Sequence, residues 1–402
     1  MLPLSEARRR ILESVAPLGA ETIPLAEAEG RFLSLEIKAP VDLPGFHTAA
    51  VDGYALRSEE IRFASPETPV FLPVEARLAA GQPATGSLTR FACQRLFTGA
   101  MIPEGADSVV MQEDTVAPPE NPGVVGITSA TTPFENFRFR GEDVRAGTVV
   151  ASRGERATFG TIALLSALGL REIEVFRRPS VAILATGAEL TEGGRSLEAG
   201  MIYESNRAML ACLARKAGGA PTAPRPIVSD HLDAICLALE DAFKLADVVV
   251  TVGGVSVGDH DLVRPAFSRL GGEIEFWRVA VRPGKPFVFG RWKGKWLFGL
   301  PGNPVSAAVC FWILAGPALL GLQGAGDPGP RGLRLPLGEA IYNRGDRPHF
   351  FRVKLGQDGR LVSAGTQAAH ILGAMAASNG LVELGPGEKK SPGDVVTFLP
   401  WS

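Results

Sequence analysis

With 402 residues, the chain has room for roughly two to four domains, and its 41 lysines and arginines against 43 aspartates and glutamates leave a net charge of only −2. That balance excludes the broad basic surface of a nucleic-acid binder, so any anion site must be local. Four cysteines without paired spacing, Cys93, Cys212, Cys236 and Cys310, exclude a zinc knuckle or a disulfide framework and are expected to be buried thiols in a reducing cytoplasm.

From the amino terminus, Met1 to Val15 reads as a helix capped by Ser5, with no apolar leader core behind Arg8, Arg9 and Arg10; secretion is not expected. Residues 21–44 and 144–170 mix strand and helix signals around prolines and read as a connecting layer on either side of an insertion. The insertion, residues 45–143, carries short β-rich runs (Thr68–Val74, Arg95–Thr98, Ser108–Glu113, Gly123–Ile127) between Pro/Gly turns, as in a small β domain.

From 171 to 325 strands alternate with helices: Ser180–Leu184, then helices Arg207–Ala217 and Leu232–Leu245, strand Asp247–Val252, helix Leu262–Leu270, strand Trp296–Leu300 and a helix after Pro304. Such alternation predicts a doubly wound, mostly parallel sheet, and residues 1–20 are assigned to the same αβ domain. Ala307–Leu322 is shorter than the roughly 20 residues of a membrane span and contains Pro317, so it reads as a core helix. Residues 326–402 show short strand patterns (Arg331–Leu335, Phe350–Leu355, Val382–Leu384, Asp394–Leu399) expected to form a β barrel or sandwich. The fold class is therefore multidomain α/β.

The chemistry gathers where strands of the third block end, since ligands of an open parallel sheet sit outside its carboxyl edge. After Asp247-Val-Val-Val-Thr-Val252 come Gly253, Gly254, Ser256 and Gly258, whose small side chains let backbone N–H groups approach an oxyanion, followed by Asp259 and Asp261, which suit a hard cation. The plainer reading is a tight turn with solvated acids. The loop Pro301-Gly302-Asn303-Pro304-Val305-Ser306 offers a helix amino terminus with Asn303 as cap and Pro304 in the first turn, and ordinary capping explains it equally well.

Arg282 and Lys285 flank Pro-Gly on a stiff turn between apolar strands and can grip an oxyanion, although solvated loop cations are the commoner case. Glu189, Asp230, Asp259 and Asp261, with Glu204 nearby, jointly suggest magnesium and a phosphorylated substrate; singly, each is a cap, a surface acid or an ion-pair partner. His260 reads as a hydrogen-bonding loop histidine rather than a metal ligand. Asp52, Thr98 and Asp143 read by themselves as turn chemistry.

Ala50-Val-Asp-Gly-Tyr-Ala55, the run Phe97 to Glu113 (FTGAMIPEGADSVVMQE), Arg140-Gly-Glu-Asp143, GGVSVG, RPGKP and LPGNPVS, in this order between residues 5 and 400, resemble the molybdopterin molybdenumtransferase family, which includes the carboxy-terminal E domain of gephyrin. The resemblance implies a molybdopterin-binding-like αβ domain and a cytoplasmic enzyme. Such an enzyme inserts molybdenum from molybdate into adenylylated molybdopterin and releases AMP with Mg²⁺. It further implies a homodimer with shared active sites, an adenylyltransferase upstream and molybdoenzymes downstream.

By position, Gly253, Gly254, Ser256, Gly258, Pro301, Gly302, Asn303, Pro304 and Ser306 correspond to the pterin-phosphate cradle, and Arg282 and Lys285 to oxyanion and molybdate ligands. Glu189, Asp230 and Asp261 correspond to metal-holding or water-orienting acids; Asp52, Thr98 and Asp143 to functional residues of the facing wall. The chain departs from the family pattern in having Ala188 and Glu204 where aspartate is usual, Arg282 where lysine is common and Ala369 where serine is common. Two other classes stay open. A pterin-binding carrier or scaffold is disfavoured by the retained acids. A pterin adenylyltransferase is disfavoured by the inserted β domain and the RPGKP loop.

Overall fold

The run Val248–Val252 is buried at every position, as a strand is only when both faces of its sheet are covered. The computed structural model describes residues 1–84, 86–255 and 261–401. It separates into a larger body, residues 1–35, 153–158 and 173–402, and a smaller one, residues 36–152 and 159–172.

The larger body begins with helix α1 (Leu4–Ser14), followed after the smaller body by β1 (Ser180–Ala185), α2 (Asn206–Lys216), β2 (Ala220–Pro221), α3 (Leu232–Leu245) and β3 (Val248–Val252). Then come α4 (Val263–Arg269), β4 (Glu273–Trp277), β5 (Val288–Trp292), β6 (Lys295–Leu300), α5 (Pro304–Cys310) and α6 (Gly316–Leu322). The sheet order is β2-β1-β3-β6-β5-β4. The first four strands are mutually parallel, while β5 is antiparallel to both its neighbours.

Side-chain alternation along β3 builds the two cores. Val248, Val250 and Val252 pack with α1, α2 and the 304–322 helix, whereas Val249 packs with α3 and α4. Helix α3 meets that second core through Ile235, Leu239, Ala242 and Phe243, the stripe of an amphipathic helix. The expected core helix spans Pro304–Leu322; a membrane-spanning segment could share its length and composition, but 83% of its apolar window is buried inside the chain.

Two expectations are corrected. Pro3, not Ser5, occupies the cap position of α1 and no side chain bonds there, because the strand pair Leu2–Pro3 with Val279–Ala280 fixes the entry instead. Cys93 and Cys310 are buried and Cys236 is half-buried, but Cys212 is exposed on the outer side of α2.

The carboxy-terminal strands β7 (Leu333–Pro336), β8 (His349–Leu355), β9 (Leu361–Ser363), β10 (Gly380–Leu384) and β11 (Val395–Pro400) form an antiparallel sheet in the order β7-β11-β10-β8-β9. It curls around Leu337, Phe351, Val353, Val382 and Phe398, and a bridge between Leu337 and Leu361 draws its edges together as a half-barrel. In the smaller body six strands form one sheet in the order Ser108–Met111, Gly53–Leu56, Cys93–Leu96, Val70–Leu78, Val124–Ile127 and Thr115–Val116. Four of these overlap the β-rich runs read from the sequence, whereas Gly53–Leu56 and Thr115–Val116 lie outside them.

Candidate active site

At the carboxyl ends of β1, β3 and β6 the chain leaves the sheet in three loops that line one cleft of about 670 Å³. The β3 loop turns on Gly253 and Gly254, with φ of +90° and +64°. A Cβ at Gly253 would run into the Thr186 carbonyl oxygen, so the loops after β1 and β3 meet only because this residue is glycine.

Glu189, Asp230, Asp261, Gly253, Gly254, Pro301, Gly302, Asn303, Pro304 and Ser306 all border this cleft. Distant sequence segments are thus gathered as the loop pattern implies. Asp230 accepts a hydrogen bond from the Ala188 N–H at 2.8 Å, which ties the loop after β1 to the end of the α3 approach. Asn303 takes the cap position of α5 with Pro304 in its first turn, but its side chain makes no cap bond.

Among the described residues, no three of His, Cys, Asp and Glu stand close enough to hold a metal ion by themselves. Ser256, Gly258, Asp259 and His260 lie outside the described residues.

Arg282 and Lys285 do not line the cleft; both are exposed, and it is Pro286 of the same loop that touches it. The loop is anchored from behind, with the Cys310 thiol donating to the Gly284 carbonyl at 3.3 Å. The Arg282 backbone pairs beside His349, donating to the Pro348 carbonyl at 2.8 Å and accepting from Phe350 N–H at 2.8 Å. Burial, with Arg282, Arg352 and Arg347 nearby, depresses His349 to a pKa of about 4, so its ring is neutral at pH 7. Cation density therefore collects on the half-barrel side of the RPGKP loop.

Of the bordering residues not singled out from the sequence, two carry polar side chains that bear on the site's architecture. Asn206, buried at the start of α2, donates through Nδ2 to the Gly302 carbonyl at 2.9 Å and fixes the β6 loop. In the sequence it stands two residues beyond Glu204. Glu204 itself turns inward: Oε1 accepts from the Asn206 and Arg207 N–H groups at 2.6 and 2.9 Å, and Oε2 pairs with Arg207 Nε at 2.9 Å. The second residue is His370, delivered by the carboxy-terminal block. Arg352, buried, holds that segment by donating to the carbonyls of Thr366 at 2.7 Å and Ala368 at 3.0 Å.

In the smaller body Asp52 Oδ1 accepts from both the N–H and the hydroxyl of Thr98, each at 2.8 Å. Those bonds, helped by Arg95, hold its carboxyl below the usual range. Asp143 is exposed, and its N–H donates to the Leu43 carbonyl at 3.1 Å. The first two are a bonded pair.

Known proteins place the chain in context. Residues 2–169 match the MoeA N-terminal region (domain I and II), 182–321 a probable molybdopterin binding domain, and 334–401 the MoeA C-terminal region (domain IV). The chain is 33% identical to a molybdopterin molybdenumtransferase of Haemophilus influenzae, covering 100% of this chain and 99% of that protein. It is 37% identical to molybdopterin molybdenumtransferase 2 of Mycobacterium tuberculosis, over 96% of this chain and 95% of that one. Its fold matches a crystal structure of the molybdopterin biosynthesis MoeA protein from Pyrococcus horikoshii OT3 with a TM-score of 0.86, 29% identity and full coverage of both chains. With relatives at this identity along essentially its whole length and the same three regions in the same order, the chain belongs to the MoeA family.

Proposed function

We propose that the protein is a molybdopterin molybdenumtransferase acting in molybdenum cofactor biosynthesis, and that it inserts molybdenum from molybdate into adenylylated molybdopterin with release of AMP. The observation that carries this reading is the cleft that Glu189, Asp230 and Asp261 line together with Gly253, Gly254, Pro301, Gly302, Asn303, Pro304 and Ser306. Backbone N–H groups at the glycine turn and at the start of α5 suit phosphate oxygens. The acids lining the same cleft supply hard oxygen donors.

Mg²⁺ fits this donor set in its usual open manner, through one or two carboxylates together with substrate oxygens, rather than in an all-protein cage. Bound there by Glu189, Asp230 or Asp261, it would supply charge neutralisation at the phosphoanhydride. The chain's own groups orient the substrate: Asp230 sets the loop after β1, and Asn206 sets the loop after β6. Arg282 and Lys285, exposed on the RPGKP loop whose Pro286 borders the cleft, supply positive potential that draws the molybdate dianion in, countering the repulsion between two anionic substrates.

The reading includes a cytoplasmic homodimer. Asp52, Thr98 and Asp143 of one chain complete the site of the other, and the chain is organised in the four blocks set out from the sequence.

The test is incubation of the purified protein with adenylylated molybdopterin, Mg²⁺ and molybdate, followed by chromatography for AMP. Molybdate-dependent AMP is the expected result. Consumption of ATP with molybdopterin would instead identify an adenylyltransferase, and tight pterin binding without turnover a carrier.

A further inference from the structure

Arg77 and Arg95 are direct partners on the neighbouring parallel strands Val70–Leu78 and Cys93–Leu96 of the smaller body. Like charges opposed in a sheet oppose its stability. Among the described residues neither arginine forms a direct salt bridge, although the Asp52 carboxylate feels Arg95 at longer range and Glu113 lines the same cleft.

Arg95 is held rigidly. On its other side it pairs in register with Tyr54, and its guanidinium lies 4.9 Å from the Tyr54 ring centre and 5.3 Å from that of Phe97. Nη2 donates to Gln112 Oε1, while Nη1 is buried without an acceptor. Together with Glu113 and Thr115 these side chains line an open cleft of about 530 Å³. Glu113, the acid among them, accepts from Gln112 Nε2 at 3.4 Å rather than pairing with either arginine. The same Arg95 helps to hold the Asp52 carboxyl below the usual range, so this cleft is electrostatically continuous with the Asp52–Thr98 pair.

We propose that the Arg77–Arg95 pair is a binding subsite for a tetrahedral oxyanion dianion. Two guanidiniums in register, neither ion-paired directly with a carboxylate, match an anion of two negative charges. A cation pinned by ring stacking and by Gln112 gives up little freedom on binding. The anion is either the phosphate of a nucleotide or a free inorganic ion; in the first case the subsite extends the functional reading above and rests on it.

The experiment is isothermal titration of the full chain at low ionic strength with AMP, inorganic phosphate and molybdate, comparing wild type with Arg77→Gln and Arg95→Gln. Each variant is expected to bind at least one of these anions about tenfold more weakly. Arg77 is exposed, so Arg77→Gln is the variant that tests the site even if Arg95→Gln fails to fold; it is expected to melt no lower than wild type, because an opposed charge is gone. Weakening for AMP alone assigns the subsite to a nucleotide, and weakening for phosphate or molybdate assigns it to the free ion. Unchanged affinity of Arg77→Gln for all three overturns the proposal. A wild-type protein that releases no AMP from adenylylated molybdopterin, yet loses anion affinity on Arg77→Gln, would overturn the functional reading and leave the subsite standing.

Discussion

Arg8 donates from Nε to the carbonyl oxygen of Ile313 at 3.3 Å, joining the first helix of the chain to the one that starts at the LPGNP loop. Ile313 lies four residues before Pro317, which has no N–H to offer, so its carbonyl would otherwise be an unpaired acceptor in the core. A π-helical turn, Phe311–Ala315, absorbs the misfit just upstream. Replacing Arg8 by methionine keeps the apolar stem but removes the donor. Arg8→Met is expected to lower the unfolding free energy by about 2 kcal/mol in urea titration; an unmoved midpoint would show that Ile313 needs no such partner.

Asp247, immediately before β3, receives Arg177 Nη1 and Nη2 at 2.7 and 3.0 Å and the Ser180 N–H and hydroxyl at 2.8 and 2.6 Å. Burial works to raise its pKa, but these bonds win and bring it to about 2. A depressed carboxylate stabilises the fold above its unfolded pKa of about 3.8, and that contribution disappears as pH falls through about 2. Asp247→Asn should therefore cost about 2 kcal/mol at pH 7, with the difference from wild type shrinking between pH 4 and pH 2. Denaturation midpoints measured across that range decide the matter; a gap that stays constant with pH contradicts the assignment.

Gly284 sits at φ +118° with the Cys310 sulfur where a Cβ would go. Gly284→Ala should destabilise the protein by about 2 kcal/mol, part steric and part conformational. Adding Cys310→Ala should recover the steric part only. Full additivity of the two substitutions in thermal melts would show that the RPGKP loop does not rest on that thiol.

Asp261 is half-buried on the rim of the cleft. Asp261→Asn is expected to cut AMP release by a factor of about 100 or more while leaving the melting temperature within a degree or two. Normal AMP production by this variant would remove Asp261 from the chemistry.

Much of this was written locally in the chain. The all-apolar run Val248–Val252 and the stripe Ile235, Leu239, Ala242 and Phe243 declare a covered strand and a one-faced helix, because burial on two faces or one leaves different periodicities. Gly253 and Gly254, and Asn303 followed by Pro304, likewise announce a loop open to an oxyanion and a helix start, since positive φ and a missing N–H are properties of single residues.

Contacts between distant segments were not legible in that way. Arg282 and Lys285 look like cleft cations beside their apolar flanks, yet their side chains are exposed off the cleft while Pro286 borders it, an orientation set by packing on Cys310 and pairing at His349. His370 reaches the cleft because the buried Arg352, on β8, bonds the carbonyls of its segment, and Asn206 matters because Gly302, 96 residues away, presents an acceptor to it. The alignment of Arg77 with Arg95 depends on a strand register that neither segment encodes alone. Periodicity, turn residues and caps are short-range and so survive in the one-dimensional string. Which side chain faces which is fixed only when the sheets close, and there the tertiary structure alone decides.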